Sequence, residues 1–239
     1  MNAAHNKSST VESKRETYRA ITERFHPVMR YFFMDHFKGA SEWYQQRQQY
    51  TKSVAVSSIV GYVVGLGDRH PHNILLDLHT SQVIHIDLGI AFDQGKLLPM
   101  PERVPFRLTR DIVDGMGMNG VRGTFTTCCE ITLSTLIDCK HVIMAVLDVL
   151  KYDPLYQWTI SPVKRQQTFD DSLASTFMDT QEKEPVVGEA DRALASVRRK
   201  LSPQVSVPCQ VNDLILSASD DTNLAQMFSG KRVVFVLTV

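Results

Sequence analysis

Apolar residues recur at helical spacing through most of this chain, with one interruption where they fall into two short extended runs. Residues 1–13 are polar, rich in Ser, Thr and Asn, and read as a disordered tail. Tyr18, Ile21 and Phe25 then mark one face of a helix over Lys14–His26. Pro27 suits the first residue of a new helical turn, and Val28–Phe37 reads as buried. Ser41 is placed to cap a long helix that runs to Val64, polar through Gln45–Gln49 and apolar from Val54 onward. Gly65 and Gly67 end it and permit a tight loop.

Ile74–Leu76 and Val83–Ile86 predict the paired strands of a hairpin. From Ile90 to Arg107 there is no period, and Pro99, Pro101 and Pro105 predict a long loop. Thr109 is positioned to cap a short helix at Arg110, and Gly115, Gly117, Gly120 and Gly123 predict turns. Two amphipathic helices follow at Thr124–Asp138 and Lys140–Lys151, with Leu155, Tyr156 and Trp158 expected beneath them. Residues 161–187 read as a linker, and Glu189–Leu201 as a charged helix. Val205–Phe228 predicts two short helices split near Ser219-Asp220, with Leu214, Ile215, Leu216, Leu224, Met227 and Phe228 as apolar contacts. Val233–Leu237 is β-prone. The fold class is therefore mainly α with a small β-hairpin.

A chain of 239 residues supports one sizeable core, or one domain with an appendage. Its 26 basic and 26 acidic residues balance, which removes any global pull toward nucleic acid or an anionic membrane. The expectation is no direct nucleic-acid binding and no membrane association. None of the four cysteines forms a C-x-x-C pair, which weakens zinc and redox readings. No apolar run is long enough to cross a bilayer.

The candidate chemistry sits where the helical period is interrupted. Gly65-Leu-Gly-Asp-Arg-His-Pro-His-Asn73 precedes the hairpin, and Val83-Ile-His-Ile-Asp-Leu-Gly89 closes it. Phosphoryl transfer from ATP needs a carboxylate by the attacking hydroxyl, with an amide oxygen and a second carboxylate to hold Mg²⁺. Asp68 and Asn73 stand five residues apart, the step between base and metal-binding Asn in the protein-kinase loop H-R-D-x-x-x-x-N. Asp87-Leu88-Gly89 occupies the place of D-F-G. The bland alternative, polar residues that merely end turns, explains neither the spacing nor the hairpin between the loops.

The order Asp68-Arg69-His70 resembles the catalytic loop of the phosphatidylinositol 3-kinase superfamily. The segments Tyr50–Gly61, Pro101–Gly117 and Tyr152–Trp158 resemble the phosphatidylinositol 3-kinase-related protein kinases, and among them the ATM group. Similarity runs from about Glu16 to Trp158 and returns over Val205–Phe228, which resembles the FATC segment of those kinases. The resemblance implies the carboxy-terminal lobe of a PI3/PI4-kinase-like catalytic domain over 14–160, with catalytic loop 65–73 and activation segment 87–110. It implies a linker or regulatory segment over 161–203 and a FATC-like segment over 204–239.

The implied activity is that of a non-specific serine/threonine protein kinase acting on Ser/Thr-Gln sites in DNA double-strand-break signalling, in the nucleus. ATP with Mg²⁺ or Mn²⁺ is the implied cofactor. Protein substrates and DNA-damage sensor proteins are the implied partners, and a homodimer the implied parent. Asp68 is expected to orient or deprotonate the substrate hydroxyl, His70 to meet the γ-phosphate, and Asn73 and Asp87 to bind the metal. Arg69, Gly67 and Gly89 support the loops, and Phe106, Arg107 and Thr109 belong to the activation segment. His85 is expected in core packing and His72 at the surface. A lipid kinase would carry a basic cluster after Asp87, whereas Lys96, Arg103 and Arg107 are dispersed.

Two departures qualify the resemblance. No glycine-rich cover or strand-borne Lys precedes Gly65, so the chain is expected to hold half an ATP site and to be inactive alone. Gly230-Lys231-Arg232 also replaces the family's aromatic ending, so the chain is expected to be an incomplete fragment of a longer kinase. The rival reading is a non-catalytic interaction module built on a kinase lobe.

Overall fold

A computed structural model describes residues 10–98, 100–152 and 187–227, together with the short strand Leu237–Thr238. The first helix, α1, spans Val11–Arg24 and begins three residues before the predicted Lys14, because the Thr10 hydroxyl caps it by accepting from Ser13 N–H at 3.3 Å. The predicted tail is thus corrected at its end, and residues 1–9 lie outside the described residues. Helix α2 spans Met29–His36 with Val28 as its N-cap, so Pro27 precedes the helix instead of opening it. Only Met29 and Phe33 of this helix are buried, and Tyr31 faces outward, so the segment is amphipathic.

The long helix α3, Ala40–Val64, starts one residue before the predicted cap, on Gly39, and Ser41 makes no capping bond. Tyr50, Val54, Ala55, Ile59 and Val63 form the stripe around which the core is built. The opposite apolar face is not core: Val56 and Val60 are exposed. Gly65 ends α3 in the left-handed region, φ +70°, and a methyl group there would meet Asp93 N at 2.4 Å. This is a position that glycine alone fills without strain.

Strands β1 (Ile74–Asp77) and β2 (Val83–His85) pair antiparallel, with Ile74 opposite His85 and Leu76 opposite Val83. Leu237–Thr238, β3, lies parallel to β1, giving the order β2-β1-β3. The hairpin is fixed to α3 by Val83 N–H, which donates to Ser53 Oγ at 2.9 Å. Its turn is closed by Asp77, whose Oδ1 accepts the amides of His79 and Thr80 at 2.8 and 3.2 Å.

Helix α4 (Arg110–Gly115) begins at Thr109 as expected, without a side-chain cap bond. Tyr50 Oη ties it to α3 by donating to Ile112 O at 3.1 Å. Helix α5 (Thr124–Asp138) packs along α3, burying Phe125, Cys129 and Leu133, and α6 (Lys140–Val149) follows it directly. Helix α7 (Val187–Lys200) meets the 3₁₀ turn Leu150–Tyr152 that follows α6 through Asp191 and Lys151, 2.7 Å apart. Helices α8 (Val207–Ser219) and α9 (Asp221–Ala225) divide at Asp220, whose carboxylate caps α9 by accepting from Asn223 N–H. They pack on α5 and α1, and α1 meets α9 through Arg19 and Asp221 at 3.3 Å. Of the apolar contacts expected here, Ile215 and Leu224 are buried but Leu216 is 61% exposed, because it points away from α5.

Leu155, Tyr156, Trp158, Pro99, Phe228 and the linker 161–186 lie outside the described residues. Among the described residues, no helix is long and apolar enough to cross a membrane.

Candidate phosphoryl-transfer site

The exit of α3, the hairpin ends and the start of the activation segment meet at one place. Phe92 N–H donates to Val64 O and Asp93 N–H to Gly65 O, both at 2.9 Å, and Gly67 N–H donates to Ile90 O at 2.8 Å. These bonds lay residues 90–93 against the catalytic loop. Pro71–Asn73 then forms a single 3₁₀ turn that leads into β1.

Arg69 is the hub. Its side chain is buried, 6% exposed, and its guanidinium donates to the carbonyls of Gly67 at 2.8 Å, Ile86 at 2.7 Å, Asn73 at 3.5 Å and Asp87. Five N–H donors in a rigid fork suit such a cluster of carbonyls, which an ammonium would not reach together. Ile86 N–H also donates to Asn73 O at 3.1 Å, so the two expected metal-binding positions are held side by side. Asn73 is buried, and its Nδ2 donates to Asp68 O at 2.8 Å, which leaves Oδ1 as the atom available to a cation.

Asp68 and Asp87 both adopt left-handed backbone, φ +58° and +51°. Aspartate tolerates this region better than most residues, but it is held there only by its surroundings. Burial pushes the Asp68 carboxyl above the usual carboxylate range, while His70 and Arg69 oppose this and Asp87 adds to it. Burial likewise holds the His70 imidazole below its ordinary value, against the pull of Asp68. His70 Nδ1 accepts from His72 N–H at 3.3 Å, so the neutral ring carries its proton on Nε2. That nitrogen stands 3.8 Å from Asp68 Oδ2, too far for a hydrogen bond.

His72 is half-buried, not a free surface residue. His85 is also half-buried, and burial lowers its imidazole to about 4, with Arg69 acting in the same direction. Gly89 N–H lies 3.5 Å from Asp87 Oδ1. Phe106 is core, and Arg107 is drawn in, donating to Arg69 O at 3.4 Å. Thr109 sits apart, at the start of α4. Asp68, Arg69, His70, Asn73 and Asp87 are therefore brought together, with Gly67, Gly89 and Arg107 packed about them.

Two features escaped the sequence. Glu102 accepts Arg69 N–H at 3.2 Å across 33 residues of chain, and no spacing rule links them. Asp93 accepts from Lys200 Nζ at 3.0 and 3.1 Å and from Ser196 Oγ at 2.8 Å, and Lys200 also donates to Tyr62 O at 2.9 Å. Helix α7 thereby grips the activation segment at its root. Glu102 follows a proline in an aperiodic loop, and Lys200 ends a charged helix, so neither stood out.

Among the described residues, no group of three or more His, Cys, Asp or Glu could hold a metal by itself. The donor set is instead one amide oxygen and one carboxylate, hard ligands of the kind that share Mg²⁺ with nucleotide phosphates. The residues present fit that ion.

Comparison with known proteins accords with this geometry. The family model for phosphatidylinositol 3- and 4-kinase matches residues 1–160, and that for the FATC domain matches 204–230. The serine/threonine-protein kinase tel1 of Emericella nidulans is 52% identical over 226 residues, covering 92% of this chain and 8% of that protein. The serine/threonine-protein kinase ATM of Arabidopsis thaliana is 45% identical over 230 residues, covering 93% of this chain and 6% of its own length. The solved FAT and kinase domain of CtTel1 superposes with a TM-score of 0.84 at 49% identity, over 93% of this chain and 15% of that one. The chain thus spans less than a tenth of the curated relatives it matches. It belongs to the phosphatidylinositol 3- and 4-kinase family, among relatives that are serine/threonine kinases of the Tel1 and ATM type.

Proposed function

We propose that this chain carries the catalytic and metal-binding loops of an ATM-type serine/threonine protein kinase. The observation that carries the reading is the Arg69 hub, which fixes the Asp68 loop and the Asp87 loop to one another. Asp68 orients the substrate hydroxyl and accepts its proton. The raised affinity of its carboxyl for a proton suits that task. His70 presents Nε2–H to the transferring phosphoryl group, where a neutral donor meets developing charge without first repelling Mg²⁺. Asn73 Oδ1 and the Asp87 carboxylate hold the cation. Bound Mg-ATP supplies the phosphoryl group and neutralises charge on its oxygens.

A protein substrate is favoured over a phosphoinositide. Of the three basic residues from Asp87 to Arg107, Lys96 is paired with Asp93 at 3.3 Å and Arg107 turns inward. The surface offers a weak cradle for a polyphosphorylated head group. The finer reading follows the Tel1 and ATM relatives: Ser/Thr-Gln sites, DNA double-strand-break signalling in the nucleus, sensor-protein partners and a dimeric parent. One solved relative is described as a complete CtTel1 dimer with C2 symmetry. Ser81-Gln82 is itself no candidate acceptor in the folded protein, since Ser81 is fully buried.

The test is Mg-ATP binding and Ser-Gln peptide phosphorylation by this chain beside a version extended upstream through an amino-terminal lobe, each with an Asp87→Ala control. Activity in the extended protein alone, abolished by the control, supports a kinase lobe that needs its partner lobe. Folded proteins that neither bind nor phosphorylate would overturn the reading in favour of an interaction module.

A further inference from the structure

Gly67 and Gly95 approach back to back where the activation segment crosses the catalytic loop. A methyl group on Gly67 would lie 2.8 Å from Gly95 Cα and 2.9 Å from Glu102 Oε2. One on Gly95 would lie 2.5 Å from the same oxygen and 3.1 Å from Gly67 Cα. The room left by these two glycines admits the Glu102 carboxylate beneath the loop. There Oε1 accepts Arg69 N–H at 3.2 Å. Glu102 N–H in turn donates to Gly95 O at 3.1 Å, which folds the activation segment back onto itself.

Such a carboxylate is out of place unless it is used. Burial drives its proton affinity up, and the bond from Arg69 N–H works against that cost. That amide directly follows Asp68, where the loop turns left-handed. Asn73 Nδ2 holds the Asp68 carbonyl, and Glu102 holds the Arg69 N–H of the same peptide unit. The peptide that follows the expected base is therefore pinned at both its polar groups, once by the turn before β1 and once by the activation segment.

We propose that Glu102 is a positioning residue for phosphoryl transfer: delivered by the activation segment, its carboxylate holds the Asp68–Arg69 backbone in the left-handed turn that aims Asp68 at the attacking hydroxyl. It touches neither nucleotide nor substrate. The inference rests on the kinase reading for its catalytic consequence, but its structural half stands without it. When residues 93–102 are displaced, the base loses its aim, so the placement of the activation segment is transmitted to catalysis through one side chain.

The test uses the full native polypeptide that carries these residues, with Glu102→Ala, Glu102→Gln and Gly95→Ala compared. Glu102→Ala is expected to lower kcat about tenfold to a hundredfold, the factor carried by one charge-assisted hydrogen bond, with peptide KM little changed. Glu102→Gln retains an acceptor oxygen and is expected to restore most of kcat. Gly95→Ala leaves the carboxylate chemically intact but displaces it, and is expected to reproduce the alanine loss. Amide hydrogen exchange over residues 66–70, measured without ATP or substrate, is expected to speed at least about tenfold in the alanine variant and to recover in the glutamine variant. Unchanged loop exchange in Glu102→Ala overturns the proposal, as does equal loss of kcat in the alanine and glutamine variants. If the wild-type protein transfers no phosphate while the loop exchange responds as expected, the kinase reading fails and the clasp stands.

Discussion

Asn73 Nδ2 donates to the main-chain carbonyl of Asp68 at 2.8 Å, so the residue proposed to offer a cation its oxygen also sets the residue proposed to meet the substrate. This double use separates two substitutions. A role in metal binding alone would tolerate Asn73→Asp, which keeps an oxygen ligand and adds charge. The structure says otherwise, because a carboxylate there would face the Asp68 carbonyl acceptor to acceptor. We expect Asn73→Asp and Asn73→Ala both to lower kcat by about a hundredfold, the loss of one placed catalytic group. Saturating Mg²⁺ should rescue neither. Substantial recovery of Asn73→Asp with added Mg²⁺ would show that the metal contact is all that matters.

Asp87 combines the proposed ligand role with a strained backbone, φ +51°. Asparagine tolerates this conformation and alanine does not. Asp87→Ala should therefore lose activity and also about 1 kcal/mol of stability, whereas Asp87→Asn should lose the activity alone. Denaturant melts of the two proteins, read beside phosphorylation assays, decide the point. Equal midpoints would mean that the turn stores no strain.

Arg69 reaches the carbonyls of Gly67, Ile86 and Asp87 through separate nitrogens. Lysine preserves the charge but cannot span them. Arg69→Lys should cost about 1–3 kcal/mol of stability, through the buried Gly67 carbonyl and the partly buried Ile86 and Asp87 carbonyls left unpaired. A thermal melt within about a degree of wild type would count against the hub.

Asp93 gives a pH signature. Burial alone would raise its carboxyl, but Lys200, Ser196 and Lys96 outweigh it and hold the group below the usual carboxylate range. The unfolded chain then binds the proton more readily than the folded one, so stability rises with pH across this interval. The contribution is fully present above the ordinary aspartate value and is lost as pH falls through the lowered one. Asp93→Asn should cost about 1–3 kcal/mol at neutral pH, and that gap should close as acid protonates wild-type Asp93. A gap that stays constant down to pH 3 would exclude the ion pair as its source.

The helices could be read from the chain, because local period and breakers set them. The Ser219-Asp220 split and the Thr124–Asp138 helix depend on residues a few places apart, and both were legible. The sequence also placed the candidate site, since Asp68, Asn73 and Asp87 follow a spacing that a loop, a hairpin and a second loop impose, and the fold brings them together. Helix starts were less legible: Thr10 and Gly39 cap where Lys14 and Ser41 were expected to begin, because capping turns on backbone angles more than on residue type. Which apolar positions are core was decided only by tertiary packing, as Val56, Val60 and Leu216 show by facing outward. Tertiary structure alone also joined Glu102 to the Arg69 amide and Lys200 to Asp93. These contacts cross 33 and 107 residues, distances over which no local period connects a donor to its acceptor.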